Sequence, residues 1–189
     1  MISIIIFLVA FVGIYIMNLF IFMDTMLIWD ITWIYVVAVV AMIAIDGLVA
    51  TLCCKWLPDK WFDHNKKIFS PSKRECRFYE ALGVKKWKDK TIELGILNGF
   101  RKNKIASPDS PEYIERFLLE TNKGYITHLL ILPVSLLSIF LMPMKFWLPM
   151  ALPIALTSCI INFLPIIILR YNMPRLKTML KYSLRHKKN

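Results

Sequence analysis

Apolar residues gather into four long runs separated by polar stretches of very unequal length. Residues 2–23 carry no charge, residues 31–54 carry only Asp46, and residues 126–142 and 146–169 carry no Asp, Glu, Lys or Arg. About 20 apolar residues in a helix match a hydrocarbon core roughly 30 Å thick. The pattern therefore predicts an all-α membrane protein with four transmembrane helices in two hairpins, 1–54 and 126–169. The first run could be a secretory leader, but no base precedes it. It also exceeds the usual apolar core of about 7–15 residues and lacks a convincing small-residue cleavage site, so it reads as a retained span.

Between the hairpins, residues 55–125 alternate aromatic and basic side chains, as in KWLPDKWF, RECRFYEALGVKKWKDKTIELG and GFRKNK. Trp and Tyr favour the headgroup level and Lys and Arg favour anionic lipid, which predicts an interfacial α-helical domain lying on the membrane surface. Near its end, Tyr113, Ile114, Phe117 and Leu118 recur at helical spacing. Pro111 suits the first turn, Ser110 or Asp109 suits the cap, and the helix leads into the third span. Pro133, Pro149, Pro153 and Pro165 mark the second hairpin. They fit either broken helices around a lipid-facing cavity or ordinary packing kinks. Residues 170–189 form a basic tail.

Composition strengthens this picture: 189 residues, 57% of them hydrophobic, with a mean hydropathy of +0.54 and a formal net charge of +11. Sixteen Lys and Arg fall within residues 55–123 and seven from Arg170 onward, whereas residues 24–30 hold two acids and no base. The positive-inside rule then places both termini and the central domain in the cytoplasm. The positive charge is expected to face lipid rather than nucleic acid. Four cysteines show no C-x-x-C spacing, and His64, His128 and His186 are scattered, so neither a disulfide framework nor a metal site is predicted.

A few polar residues inside or beside the spans require an explanation. Asp46 and Asn162 each lie about 16 residues into an inward-running span, at similar depth, and could share a polar cluster. Structural helix pairing is the competing explanation. Arg170 follows Asn162 at i+8. His128 opens the third span, and Glu120, eight residues earlier on the same helix face, could orient its imidazole as a general base. Lys86, Trp87, Lys88 and Lys102 could dock phosphates or headgroups, or simply anchor the domain. The templates G-x-S-x-G, the Gly-rich phosphate loop and H-E-x-x-H are absent from the sequence.

The string NFLPIIILRYNMPRL, with Asn162, Arg170, Tyr171, Asn172, Pro174 and Arg175, resembles the C-terminal signature of the glycosyl-4,4'-diaponeurosporenoate acyltransferase family. LPDKWF, EALGVKKWK and EYIERFLLETNKGYITH resemble that family's other segments in the same order, so the similarity runs from Leu57 to Leu176. Lys123 and Tyr125 stand where the family pattern carries an Arg and an acidic residue.

The resemblance implies a bacterial cell-membrane enzyme of carotenoid biosynthesis that moves a fatty acyl chain onto a sugar hydroxyl of a glycosyl carotenoid or related glycolipid. It implies no cofactor, with acyl-CoA or acyl carrier protein as acyl donor. Glu120 and His128 would then be the catalytic pair. Asn162, Arg170, Tyr171, Asn172 and Arg175, with Asp46 and the lysines of the basic domain, would bind substrate, all near the cytoplasmic membrane boundary. The alternative is a non-catalytic membrane subunit or lipid-binding partner protein.

Overall fold

The computed structural model describes residues 2–90 and 107–187. Among these residues the α-helices are α1 (Ile2–Phe22), α2 (Ile28–Thr51), α3 (Lys73–Ala81), α4 (Val84–Trp87), α5 (Pro111–Leu137) and α6 (Leu152–His186), and no strand occurs. The stretches Ile5–Phe22, Ile28–Trp56, Pro111–Leu141 and Met144–His186 are each helical, long enough and apolar enough to cross a membrane. Many of their large apolar side chains, such as Val9, Phe20, Val40, Leu137 and Ile160, point outward, as a surface facing lipid tails requires. The fold is therefore that of a multi-pass membrane protein.

Both hairpins are tied together by polar groups that have no water to turn to. Tyr35 donates its hydroxyl to the Phe11 carbonyl at 2.7 Å. Asn18, fully buried, donates to the carbonyls of Ile14 at 2.8 Å and Pro149 at 2.7 Å. Pro153 has no N–H to offer the carbonyl four residues before it, which is that of Pro149, and Asn18 from the other hairpin supplies a donor instead. Phe11, Ile14, Tyr35, Met42, Phe146, Met150 and Ile154 form the core beside these bonds.

In the second hairpin, α5 runs unbroken from the capping Ser110, whose hydroxyl accepts from the Tyr113 N–H at 3.2 Å, through Pro133 to Leu137. Likewise α6 passes through Pro165 and Pro174 without ending, so the expected tail from residue 170 is helical to His186. The reason is packing. Ile114, Phe117 and Leu118 of α5 meet Met173, Leu176 and Leu180 of α6 in a buried seam, which holds the two helices as an antiparallel pair well past the apolar runs.

The segment between the hairpins packs on the side of this pair. It comprises a π turn (Leu52–Trp56), two 3-10 turns (Asp59–Phe62 and Lys67–Phe69), α3, α4 and a further 3-10 turn (Lys88–Lys90). Helix α3 starts at a capping box in which Ser72 accepts from the Glu75 N–H and the Glu75 carboxylate accepts from the Ser72 N–H. It stops at Gly83, whose φ of 61° is open to glycine at little cost. That reversal brings Val84 and Trp87 back against Tyr79, Ile167 and Tyr171.

Candidate functional site

Three helices converge on a column of polar side chains inside the second hairpin. Asn162, 7% exposed, lies at its centre. Its Nδ2 donates to the Ser158 carbonyl at 3.0 Å and to Asp46 Oδ2 at 3.3 Å. Two acceptors on that side fix the amide orientation, so Oδ1 faces His128 Nδ1 at 2.8 Å. An amide oxygen can only accept, and Nδ1 therefore carries the proton. In the neutral form of the ring the lone pair then falls on Nε2. The site thus presents an Asp46–Asn162–His128 chain in which a carboxylate polarises an amide and the amide fixes the imidazole tautomer.

Asp46 collects further donors. Ser158 Oγ donates to its Oδ2 at 3.0 Å, Ser135 Oγ lies 3.4 Å from its Oδ1, and the two hydroxyls are 2.9 Å apart. A carboxylate withdrawn from water is costly unless several donors meet it, and these serines from α5 and α6 supply them. Sequence reasoning passed over both serines. The signal was present in their spacing, since Ser158 lies four residues before Asn162 and Ser135 seven after His128, each on the same helix face as its neighbour.

Glu120 does not join this site. The Nδ1 partner of His128 is Asn162, and the half-buried Glu120 carboxylate bonds to no described residue. Eight residues share a helix face but stand two turns, about 12 Å, apart, and only neighbours three or four residues apart touch. The structure does not bring Glu120 and His128 together.

Arg170 is engaged elsewhere. Its Nε and Nη2 donate to the two carboxylate oxygens of Glu75, each at 2.7 Å, its Nη1 donates to the Ile68 carbonyl, and its guanidinium lies 5.0 Å from the centre of the Tyr125 ring. Tyr79 donates to Glu75 at 2.6 Å. The guanidinium holds the Glu75 carboxyl below the usual carboxylate range, while burial pushes the Tyr79 phenol up, with the adjoining carboxylate adding to it. This bidentate pair clamps α3 onto α6. Lys123 does the same for the preceding turn, pairing with Asp59 at 2.6 Å.

The remaining candidates fall in a second place, further along the α5–α6 pair. Lys88 Nζ lies 3.4 Å from Asn172 Oδ1, and Arg175 lies 3.4 Å from the Tyr171 hydroxyl and over its ring. Lys88, Asn172 and Arg175, together with Phe117, Thr121, Leu176 and Met179, border a cleft of about 190 Å³. Trp87 donates to the Leu82 carbonyl at 3.1 Å and packs on the Tyr171 side, Lys86 is exposed, and Lys102 lies outside the described residues. The expected single cluster is therefore three groups strung along α6: the membrane site, the Arg170 clamp and the cleft.

Among known protein families, the model described as glycosyl-4,4'-diaponeurosporenoate acyltransferase matches residues 58–182. The match takes in His128, Ser135, Ser158 and Asn162, the Arg170 clamp and the cleft, and leaves out Asp46 with the first hairpin. No curated protein and no solved structure matches the chain.

Proposed function

Because this chain belongs to the glycosyl-4,4'-diaponeurosporenoate acyltransferase family, we propose that it transfers a fatty acyl chain from a thioester onto a hydroxyl of a lipid-linked sugar, with His128 as general base. The acceptor is a glycosyl carotenoid or related glycolipid, and the reaction takes place near the cytoplasmic face. The observation that carries the assignment is the His128–Asn162–Asp46 chain, which leaves the lone pair on Nε2.

In this reaction Nε2 takes the proton from the acceptor hydroxyl as its oxygen bonds to the acyl carbon. The resulting imidazolium keeps its Nδ1–H on Asn162, whose amide relays the negative charge of Asp46. Collapse of the tetrahedral intermediate breaks the carbon–sulfur bond, and the imidazolium returns the proton to the leaving thiolate. Asn162 and Asp46 are positioning residues, since they act through His128. Proton transfer of this kind contributes about 10²- to 10⁴-fold in rate. The low polarity around the site strengthens each of these electrostatic contacts.

The purified chain in lipid nanodiscs, given a radiolabelled acyl thioester and a glycosylated carotenoid, is expected to form the ester. His128→Ala is expected to lower the rate by about 10²- to 10⁴-fold. A His128→Ala protein that forms ester as fast as wild type would remove the assignment. Failure of the wild-type chain across broad panels of donors and acceptors would favour a non-catalytic subunit.

A further inference from the structure

Two ion pairs hold the segment between the hairpins at one depth. Arg170 is the first charge after the apolar run 146–169, and it binds both carboxylate oxygens of Glu75 in α3 at 2.7 Å. Lys123 stands just before the run 126–142 and pairs with Asp59 at 2.6 Å. The second span ends at Trp56. The turns and α3 are therefore fastened where three spans leave the hydrocarbon, at the level of lipid headgroups.

At that level several large apolar side chains find no place inside the protein. Phe62, Phe69, Tyr79 and Val84 turn inward and are buried, whereas Trp56 is 76% exposed, Phe78 55%, Trp61 54% and Leu82 43%. One such residue would need no explanation, but a basic helix edged with them does. In α3, Glu75 and Tyr79 mark the side that meets α6. Arg74, Phe78 and Leu82, four residues apart, line one flank, Arg77 lies beside it on the outer side, and Glu80 lies on the other flank. The flank is apolar and basic and carries no acid. Residues 55–90 hold eleven Lys and Arg against five Asp and Glu. Two of those acids, Asp59 and Glu75, are taken by Lys123 and Arg170, which leaves the exposed charge mainly positive.

We propose that α3 docks on an anionic phospholipid leaflet, with Phe78, Leu82 and Trp61 entering it beside Trp56 and with Arg74, Arg77 and Lys60 meeting its phosphates. Apolar side chains inserted next to cations gain from burial and from the negative surface potential together. A protein partner would have to reach this flank at headgroup depth, through the lipid that already lies there. The docking stands apart from acyl transfer and does not depend on it.

The full chain, cleared of its four cysteines, receives a single cysteine carrying an environment-sensitive fluorophore and is placed in nanodiscs that contain lipid spin-labelled near the headgroup. Probes at Phe78→Cys and Leu82→Cys are expected to be quenched in phosphatidylglycerol discs, and a probe at Glu80→Cys is not. Arg74→Ala and Arg77→Ala are each expected to lower the ratio of quenched to unquenched probe about fivefold, the worth of one cation beside an anionic surface. Arg74→Lys is expected to keep it. A second readout leaves α3 intact: brominated phosphatidylglycerol is expected to quench less of the intrinsic fluorescence in Trp61→Phe than in wild type.

Probes at 78 and 82 that lipid quenches no more than the probe at 80 would overturn the proposal, as would intrinsic quenching unchanged in Trp61→Phe. Equal quenching in phosphatidylcholine and phosphatidylglycerol discs, or Arg74→Ala and Arg77→Ala proteins that behave as wild type, would overturn the anionic leaflet as the partner. A probe shielded from water that lipid does not quench, and that becomes exposed when each disc holds one chain, would overturn it in favour of a second copy.

Discussion

Asn162 bonds His128 through one end of its amide and Asp46 through the other, so a single side chain decides whether the carboxylate reaches the imidazole. Asn162→Leu keeps the volume nearly constant but cuts that link. Asp46→Asn keeps the shape and removes the charge. Each is expected to lower kcat about 10- to 100-fold, the worth of a hydrogen bond to a charged group, while leaving the protein helical by circular dichroism. Steady-state rates equal to wild type in both variants would show that the chain serves packing alone. At the clamp, Arg170 holds the folded-state value of Glu75 below its unfolded one. A carboxylate lowered in this way contributes its stability above the unfolded value, about 4.3, and loses it as pH falls through the lowered folded value. Proteolysis of the α3 segment should consequently stay slow at neutral pH and accelerate only below the usual carboxylate range. Glu75→Gln should be cleaved rapidly at neutral pH, because it leaves a largely buried guanidinium half-paired at a cost of about 3 kcal/mol.

At the scale of elements, α5 and α6 make the most extensive contact among the described residues, and α6 contributes to all three polar groups. Their pairing past the apolar runs rests on a short seam in which Ile114, Leu118 and Met173 are fully buried. Leu118→Ala opens a cavity there and is expected to cost about 2–5 kcal/mol. Amide exchange over residues 170–186 should speed up in that variant while exchange in α1 and α2 stays as in wild type. Gly83 acts on a shorter range. Its left-handed conformation turns the chain so that Lys88 reaches Asn172. Gly83→Val places a β-branched residue where φ is positive, and it should therefore speed proteolysis of the α3–α4 segment.

For the whole molecule, the cation distribution predicts an orientation that labelling can test. In a chain cleared of its four cysteines, a cysteine placed at Thr25 in the first short connection is expected to react with an impermeant maleimide in intact cells. One placed at Lys181 should react only after permeabilisation. The reverse result would put the cleft on the outer side, away from any cytosolic acyl donor. In the reaction proposed above, this orientation would let the acceptor arrive through the lipid and meet a cytosolic acyl donor at His128.

The sequence by itself determined the spans, because runs of about 20 apolar residues have few alternatives to a membrane helix. It also pointed to Asp46, Asn162 and His128, because each stands out chemically in an apolar run. It did not reveal which polar residues touch. Glu120 and His128 share a face by periodicity yet stand two turns apart, and Arg170 is occupied by Glu75, 95 residues away in sequence. Ser135 and Ser158 carry no charge and gain meaning only when α2 brings a carboxylate to them. Periodicity fixes the face of one helix, whereas the partners of a buried polar group are fixed by how the helices pack, and the tertiary structure alone decided that.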